Sequence, residues 1–266
     1  MQVTMATLPK PGDRPNEDFV GAVSSAVVVV DGAGGVPGAA AACSHGVAWY
    51  ARRLGAHLLT TLPDDDRSLR AQLAFAIDAV TDEHRPGCDV ASPASPSAMV
   101  AVLRVSADFV DHLVLGDATL VLDRVAAGPL VVTDPRELVV IDGLLPQLEA
   151  AADEEERNEV LGRLRAHRNR AGGFWLAKDD PLAADEALTR RHALHEVAGA
   201  ALMSNGVSRI VDPFALLDWP GLLAELAERG PAGPAELIRR VREAELRDDV
   251  PPDDATLAHV VLSRGA

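Results

Sequence analysis

Three apolar runs crowd into the middle of the chain. Ala98–Val105, His112–Leu115 and Leu120–Val125 are rich in Val and Leu and are separated only by SADFVD and by a short turn containing GDA. Strands joined so tightly pair antiparallel, because a parallel crossover consumes a dozen residues or more. A sheet of alternating strands and helices, as in dinucleotide-binding folds, is therefore a poor fit. Further strands are expected at Ala26–Val30, Leu130–Val132, Leu138–Ile141 and Thr256–Leu262, each bounded by Gly, Asp, Pro or Ser.

Helical spacing appears on both sides of this β-rich centre. Ala39–Thr60 carries Val47, Ala48, Ala51, Leu54 and Leu58 on one face, and Ser68–Glu83 carries Leu69, Leu73, Ala76, Ile77 and Val80. Pro220–Arg229 and Pro234–Leu246 each open with Pro in the first turn, and Gly230 closes the former. Glu149–Arg168, with its DEEER block at 153–157, predicts an exposed helix with a solvated face, followed by the irregular HRNRAGGFWLAKDDP. The chain is expected to be a single domain over 1–266, with 142–190 as a flap-like insertion. ASPASP at 91–96 is expected to be a loop.

Composition excludes several functions. With 40 acidic against 25 basic residues the formal net charge is −15, which repels nucleic acid and anionic lipid alike. Three Trp, one Tyr and five Phe leave no base-stacking surface. No apolar run approaches the ~18–20 residues of a membrane span, and the N-terminus lacks the plan of a signal peptide. The two cysteines, Cys43 and Cys88, form no CxxC pair, which argues against a disulfide framework or a structural zinc site and for a cytoplasmic protein. An acidic surplus suits a divalent cation.

The chemistry gathers around VVVVDGAGG, where Asp31 ends an apolar strand. No Lys follows at the spacing of a phosphate-binding Walker loop. Gly32-Ala33-Gly34 is followed by Gly35-Val36-Pro37, which omits the third glycine of a dinucleotide loop. Asp31 would also repel the phosphate in either loop. Other carboxylates stand at comparable strand ends: Glu17 and Asp18 in RPNEDFVG, Asp117 in GDA, Asp253 and Asp254 in PPDDATLAHVVL. Singly each reads as a turn former; together they are oxygen donors of the kind a hard divalent cation takes.

Taken in order, RPNED, VVVDGAGG, GDA, LMSNG and DDAT resemble the motifs of the PPM family of metal-dependent serine/threonine protein phosphatases, the protein phosphatase 2C type, in a divergent, bacterial-like form. The resemblance spans Arg14 to Leu262. It implies an α-β-β-α four-layer sandwich with two mainly antiparallel central sheets, and two Mg²⁺ or Mn²⁺ ions at one edge. By motif, Asp31 would bridge both ions, Gly32 would offer its carbonyl, Glu17 would hold a metal-bound water and Asp253 would ligate the second ion. Asp254 falls in a supporting position, and Asp117 in one associated with a third, weaker ion. Arg14 would bind the substrate phosphate. The implied reaction is hydrolysis of a phosphoserine or phosphothreonine ester by a metal-bridging water; the implied partners are a phosphorylated protein, or a small phosphate ester, and a separate regulatory protein.

Departures from the family pattern are equally specific. Asn205 in SNG stands where the family has an aspartate metal ligand, so metal affinity should fall. Arg14 lies three residues before Glu17 instead of four, which opens the phosphate-binding role to Arg168 or Arg170. Ser95-Pro96-Ser97 replaces a GTT stretch, and Ala33 replaces a histidine found in some members, leaving a water or His45 as acid. A weakened or inactive phosphatase fold that binds phosphoproteins is the rival reading. Elsewhere, Cys43 and His45 are i and i+2 on an expected helix and so point apart. His45 and Trp49 are expected to pack together against the sheet, and His84, His167, His192 and His195 to be surface or cap residues.

Overall fold

The computed structural model describes residues 1–34, 43–64 and 66–262. Among them, ten strands form two five-stranded antiparallel sheets. The first has the order β1 (Gln2–Leu8), β10 (Ala255–Val261), β9 (Val197–Met203), β6 (Thr119–Arg124) and β7 (Leu130–Val132). The second runs β2 (Phe19–Val23), β3 (Ala26–Ala33), β4 (Ser97–Val105), β5 (Phe109–Leu115) and β8 (Leu188–Ala193).

Strand β3 explains the layering. Its continuous apolar run is the signature of a strand covered on both faces, and alternate residues serve different cores. Ala26, Val28 and Val30 join the core under α1 (Val47–Thr61) and α2 (Leu69–His84). Val27 and Val29 join the core between the sheets, with Leu120, Leu122, Leu202 and Val260 of the opposite sheet. On the far side, Leu257, Ala201 and Val121 pack under α6 (Trp219–Arg229) and α7 (Gly233–Arg247) through Leu222, Leu226, Leu237 and Val241. Helices, sheet, sheet and helices make the four expected layers. Every apolar position assigned to the faces of α1 and α2 is buried.

Four expectations are corrected. Leu138–Ile141 is not a strand; it lies inside α3 (Arg136–Ala150), with Leu138 and Val139 exposed. A short apolar run does not distinguish the two, and Asp134, accepting the Arg136 N–H, starts a helix there. The expected helix over 149–168 is interrupted: α3 reaches Ala150, and α4 (Glu154–Arg165) begins after Asp153, whose side chain accepts the Glu156 N–H. The helix expected from Ala39 starts at Val47, because Gly46 at φ 82 lies outside helical space; Cys43–Gly46 are not helical, and 39–42 lie outside the described residues. Finally, β4 pairs with β5, but β5 does not pair with β6. Gly116, at φ +76, turns the chain so that β6 enters the other sheet; a Cβ there would lie 2.5 Å from Met99 Cγ.

Candidate metal centre

That crossing puts Asp117 between the two sheets. Antiparallel pairing brings the other acids to the same end: Asp31 at the close of β3, Asp18 just before its partner β2, Asn205 just after β9, and Asp253 and Asp254 just before its partner β10. Asp31 shares the parity of Val27 and Val29, so it faces the space between the sheets. Ser97 Oγ donates to the Ala33 carbonyl at 2.9 Å and pins the end of β3. Glycine is required at 32, because a Cβ would lie 2.3 Å from the Glu17 carbonyl oxygen and 2.6 Å from Val47 Cγ1.

Asn205 is the hub. Its backbone N–H donates to Asp31 Oδ2 at 3.0 Å, and its side-chain amide donates to Asp117 Oδ2 at 3.2 Å. It sits in the first turn of the short helix α5 (Asn205–Ser208), which is locked to β10 by Ser204: the Ser204 N–H donates to the Thr256 carbonyl, and Ser204 Oγ accepts the Thr256 N–H, both at 3.0 Å. Gly206 permits this approach, since a Cβ there would lie against the Asp254 carbonyl oxygen.

The carboxylates have sorted into two groups. Asp254 is structural in its bonding: Oδ1 accepts the Lys10 N–H at 2.7 Å and Oδ2 the Glu17 N–H at 2.9 Å, fastening the loop between β1 and β2 to the start of β10. Lys10 reaches into the cluster, its ammonium 3.0 Å from Glu17 Oε2, 3.7 Å from Asp254 and 3.9 Å from Asp253. Burial works against the Lys10 charge, but the Glu17 hydrogen bond and charge, with Asp254 and Asp253 behind them, raise its pKa. Asp253 is half-exposed and also faces Arg209 at 3.5 Å.

Asp18, Asp31 and Asp117 are less well paired. Asp18 Oδ2 and Asp117 Oδ1 are buried without a hydrogen-bond partner. Burial, outweighing hydrogen bonds from Thr256 and Ser204, pushes the Asp18 pKa to about 7. Burial and the charges of Asp18 and Asp117 push Asp31 well above the carboxylate range, and burial raises Asp117. Crowded, dry, under-bonded carboxylate oxygens beside a backbone bend are donors a hard divalent cation satisfies. The residues fit such an ion, with one amide in the set where a further carboxylate would add charge.

Beyond Asp117 lies a rim of which the sequence singled out Arg168 alone. Glu137 on α3 is buried with Oε2 unpartnered; burial and the charge of Asp117 push its pKa to about 7, with Arg168 opposing. The Arg168 guanidinium has buried, unpartnered Nε and Nη1 atoms, and burial lowers its pKa. Asp134 is held by Arg136, which also reaches Glu186. Phe174 is buried in the inter-sheet core and Trp175 packs on the core under α1 and α2, so the segment carrying Arg168 is anchored at both aromatics. Arg170 is exposed, as is Arg14, which makes no hydrogen bond or ion pair with any described residue.

Asp18, Lys10 and Glu137 had no assigned role in the sequence. Asp18 was visible as the acid of RPNED, but nothing in the spacing tells which of two adjacent acids turns inward. Of the histidines, His84 and His192 are buried instead of superficial; His192 stacks on His112. His45 stacks on Trp49, with ring centroids 4.2 Å apart, but its ring is exposed instead of packed against the sheet.

No family model and no curated protein matches the sequence. Solved structures do match, end to end. The Mycobacterium tuberculosis serine/threonine phosphatase PstP/Ppp is 19% identical, covers 99% of this chain and 99% of its own, and superposes with a TM-score of 0.60. The fold is that of the protein phosphatase 2C type. The catalytic domain of PstP in complex with 2 manganese ions matches at 18% identity and TM-score 0.61, over 99% of this chain and 98% of its own. A serine/threonine phosphatase of S. agalactiae matches at 14% and 0.62, over 98% of this chain and 99% of its own. At these identities the likeness concerns the phosphatase fold. Among the described residues no helix is long and apolar enough to cross a membrane.

Proposed function

We propose that the chain is a metal-dependent phosphomonoester hydrolase acting on phosphoserine or phosphothreonine in proteins. The observation that carries this reading is the convergence of Asp31, Asp117 and Asn205, with buried unpartnered carboxylate oxygen, at one end of a phosphatase fold. Two Mg²⁺ or Mn²⁺ ions held by Asp31, the Gly32 carbonyl, Asp117, Asn205 and Asp253 would supply Lewis-acid activation of water and neutralise phosphate charge. Asp254 fixes the Glu17 backbone beside Gly32, and Lys10 orients the Glu17 carboxylate. The under-bonded guanidinium of Arg168 is the better placed phosphate anchor, being set beside Glu137 and the Asp117 side of the cluster; Arg14 and Arg170 are the exposed alternatives. The segment 142–190 then serves as a flap over the substrate.

A second reading is supported by two contacts. The Asn205 amide donates to Asp117, and the Lys10 ammonium pairs with Glu17, so part of the acidic charge is neutralised by the chain itself. A phosphatase fold balanced in this way suits a weakly active or non-catalytic phosphoprotein-binding module. Turnover of p-nitrophenyl phosphate across a Mn²⁺ titration separates the two. Activity that rises with Mn²⁺ and falls at least about a hundredfold in Asp31→Ala and Asp253→Ala, the scale on which metal-supported catalysis acts, supports the hydrolase. A folded protein with no turnover at millimolar Mn²⁺ favours the binding module.

A further inference from the structure

Away from the carboxylates, the two cysteines meet two histidines. Cys43 and His45 precede α1, and His84 and Cys88 stand at and just beyond the end of α2, with a 3-10 turn, Arg85–Gly87, between them. One ligand atom from each residue lies within 4.8 Å of every other. Cys43 Sγ is 2.9 Å from His84 Nε2, and Cys88 Sγ is 3.4 Å from His45 Nδ1. In a tetrahedral Zn²⁺ site with Zn–S of about 2.3 Å and Zn–N of about 2.0–2.1 Å, ligand atoms are ~3.3–3.8 Å apart. The cluster needs only a small adjustment to reach that size.

Backbone donors face both sulfurs: burial still raises the pKa of the Cys43 thiol, whereas at Cys88 burial is outweighed by hydrogen bonds from Ser44, Cys43 and His45, which bring it to about 7. The N–H groups of His45 and Gly46 donate to Cys43 Sγ at 3.3 and 3.2 Å, and the Ser44 N–H donates to Cys88 Sγ at 3.2 Å. Backbone donors aimed at sulfur favour its charged form, the form that binds metal. The imidazoles are held by packing: His45 stacks on Trp49, and His84 meets the His45 ring edge-on at 5.6 Å.

We propose that Cys43, His45, His84 and Cys88 bind one Zn²⁺ ion as a closed, structural site that clamps the start of α1 to the end of α2. Four protein ligands leave no open position, so the ion has no catalytic role. Two thiolates and two neutral imidazoles suit zinc, whereas Mg²⁺ and Mn²⁺ prefer the oxygen cluster. The site also braces that cluster. Val47, the first residue of α1, packs against Gly32 and Gly34, where added Cβ atoms would lie 2.6 and 3.1 Å from its methyls. The spacing Cys-x-His at one end and His-x3-Cys at the other, with α1 and α2 between, is why no CxxC motif announces it.

The test uses the full chain, purified under reducing conditions without added metal, and does not depend on phosphatase activity. Elemental analysis is expected to find stoichiometric zinc. Exchange for Co²⁺ is expected to give tetrahedral visible bands and a near-ultraviolet thiolate-to-cobalt band, which oxygen ligands do not produce. Both spectral features should be lost in Cys88→Ser and severely weakened in His45→Ala, whose exposed ring makes a folded variant accessible. Asp31→Asn should leave both unchanged. Reduced, folded protein that binds no zinc and shows no thiolate–cobalt band overturns the proposal. So does a mass lower by two hydrogens in reducing buffer, which identifies a Cys43–Cys88 disulfide instead.

Discussion

Asn205 decides how strongly the carboxylates repel one another when no cation is present. Its side-chain amide donates to Asp117, while its backbone N–H serves Asp31 regardless of side chain. Asn205→Asp therefore removes a donor and adds a third buried charge between two carboxylates whose pKa values are already raised. The metal-free variant should be less stable than the parent, and its Mn²⁺ affinity higher by about tenfold or more, the scale on which changes around a metal ligand set act. Calorimetric Mn²⁺ titration with melting in chelator reads both quantities. An unchanged titration would place the residue outside the coordination sphere.

Among the elements, a strand end matters more than a strand. Asp31 was legible because a continuous Val run followed by Asp-Gly marks where the fully buried stretch of a strand ends, although β3 itself runs on to Ala33. The faces of α1 and α2 were legible because burial enforces helical period. Four strands, β1, β2, β8 and β9, escaped: β1 and β8 are mostly exposed or half-buried and rich in polar residues, β2 is half-buried throughout, and β9 is dominated by Ala and Gly, which carry little strand signal. Inward and outward turns of adjacent acids escaped as well, because Asp253 and Asp254 differ only in which backbone amides happen to face them. The same logic separates scaffold from site. Leu73→Ala, in the core under α2, should cost ~2–5 kcal/mol and leave the Mn²⁺ affinity of the folded protein unchanged. Gly206→Ala drives a Cβ into the Asp254 carbonyl, and so should lower stability and Mn²⁺ affinity together. Denaturant melts paired with titrations test the contrast; equal effects of both changes on affinity would refute it.

At the scale of the molecule, one end of the sandwich holds buried charge that the rest of the fold tolerates only when neutralised. Burial lifts Asp18 from 3.8 to about 7, and Glu137 from 4.5 to about 7 with added repulsion from Asp117. Between the ordinary and the raised value the folded chain binds protons that the unfolded chain has released. Stability of the metal-free protein therefore falls as pH rises from about 4 through about 7, and levels above that range. A carboxylate held tenfold less acidic in the folded chain costs about 1.4 kcal/mol once both states are ionised, or ~3–5 °C in Tm for a chain of this size. On the proposed reading, a divalent cation held by Asp31 and Asp117 would neutralise the charge that Asp18 and Glu137 face, so its benefit should grow with pH: Mn²⁺ should raise Tm only slightly at pH 5 and by more than the metal-free loss at pH 8. Differential scanning calorimetry at the two pH values, with Mn²⁺ and with chelator, measures it. An equal Mn²⁺-induced rise at both would mean that the cation does not bind beside the buried carboxylates, and that Asp31 and Asp117 form no metal centre.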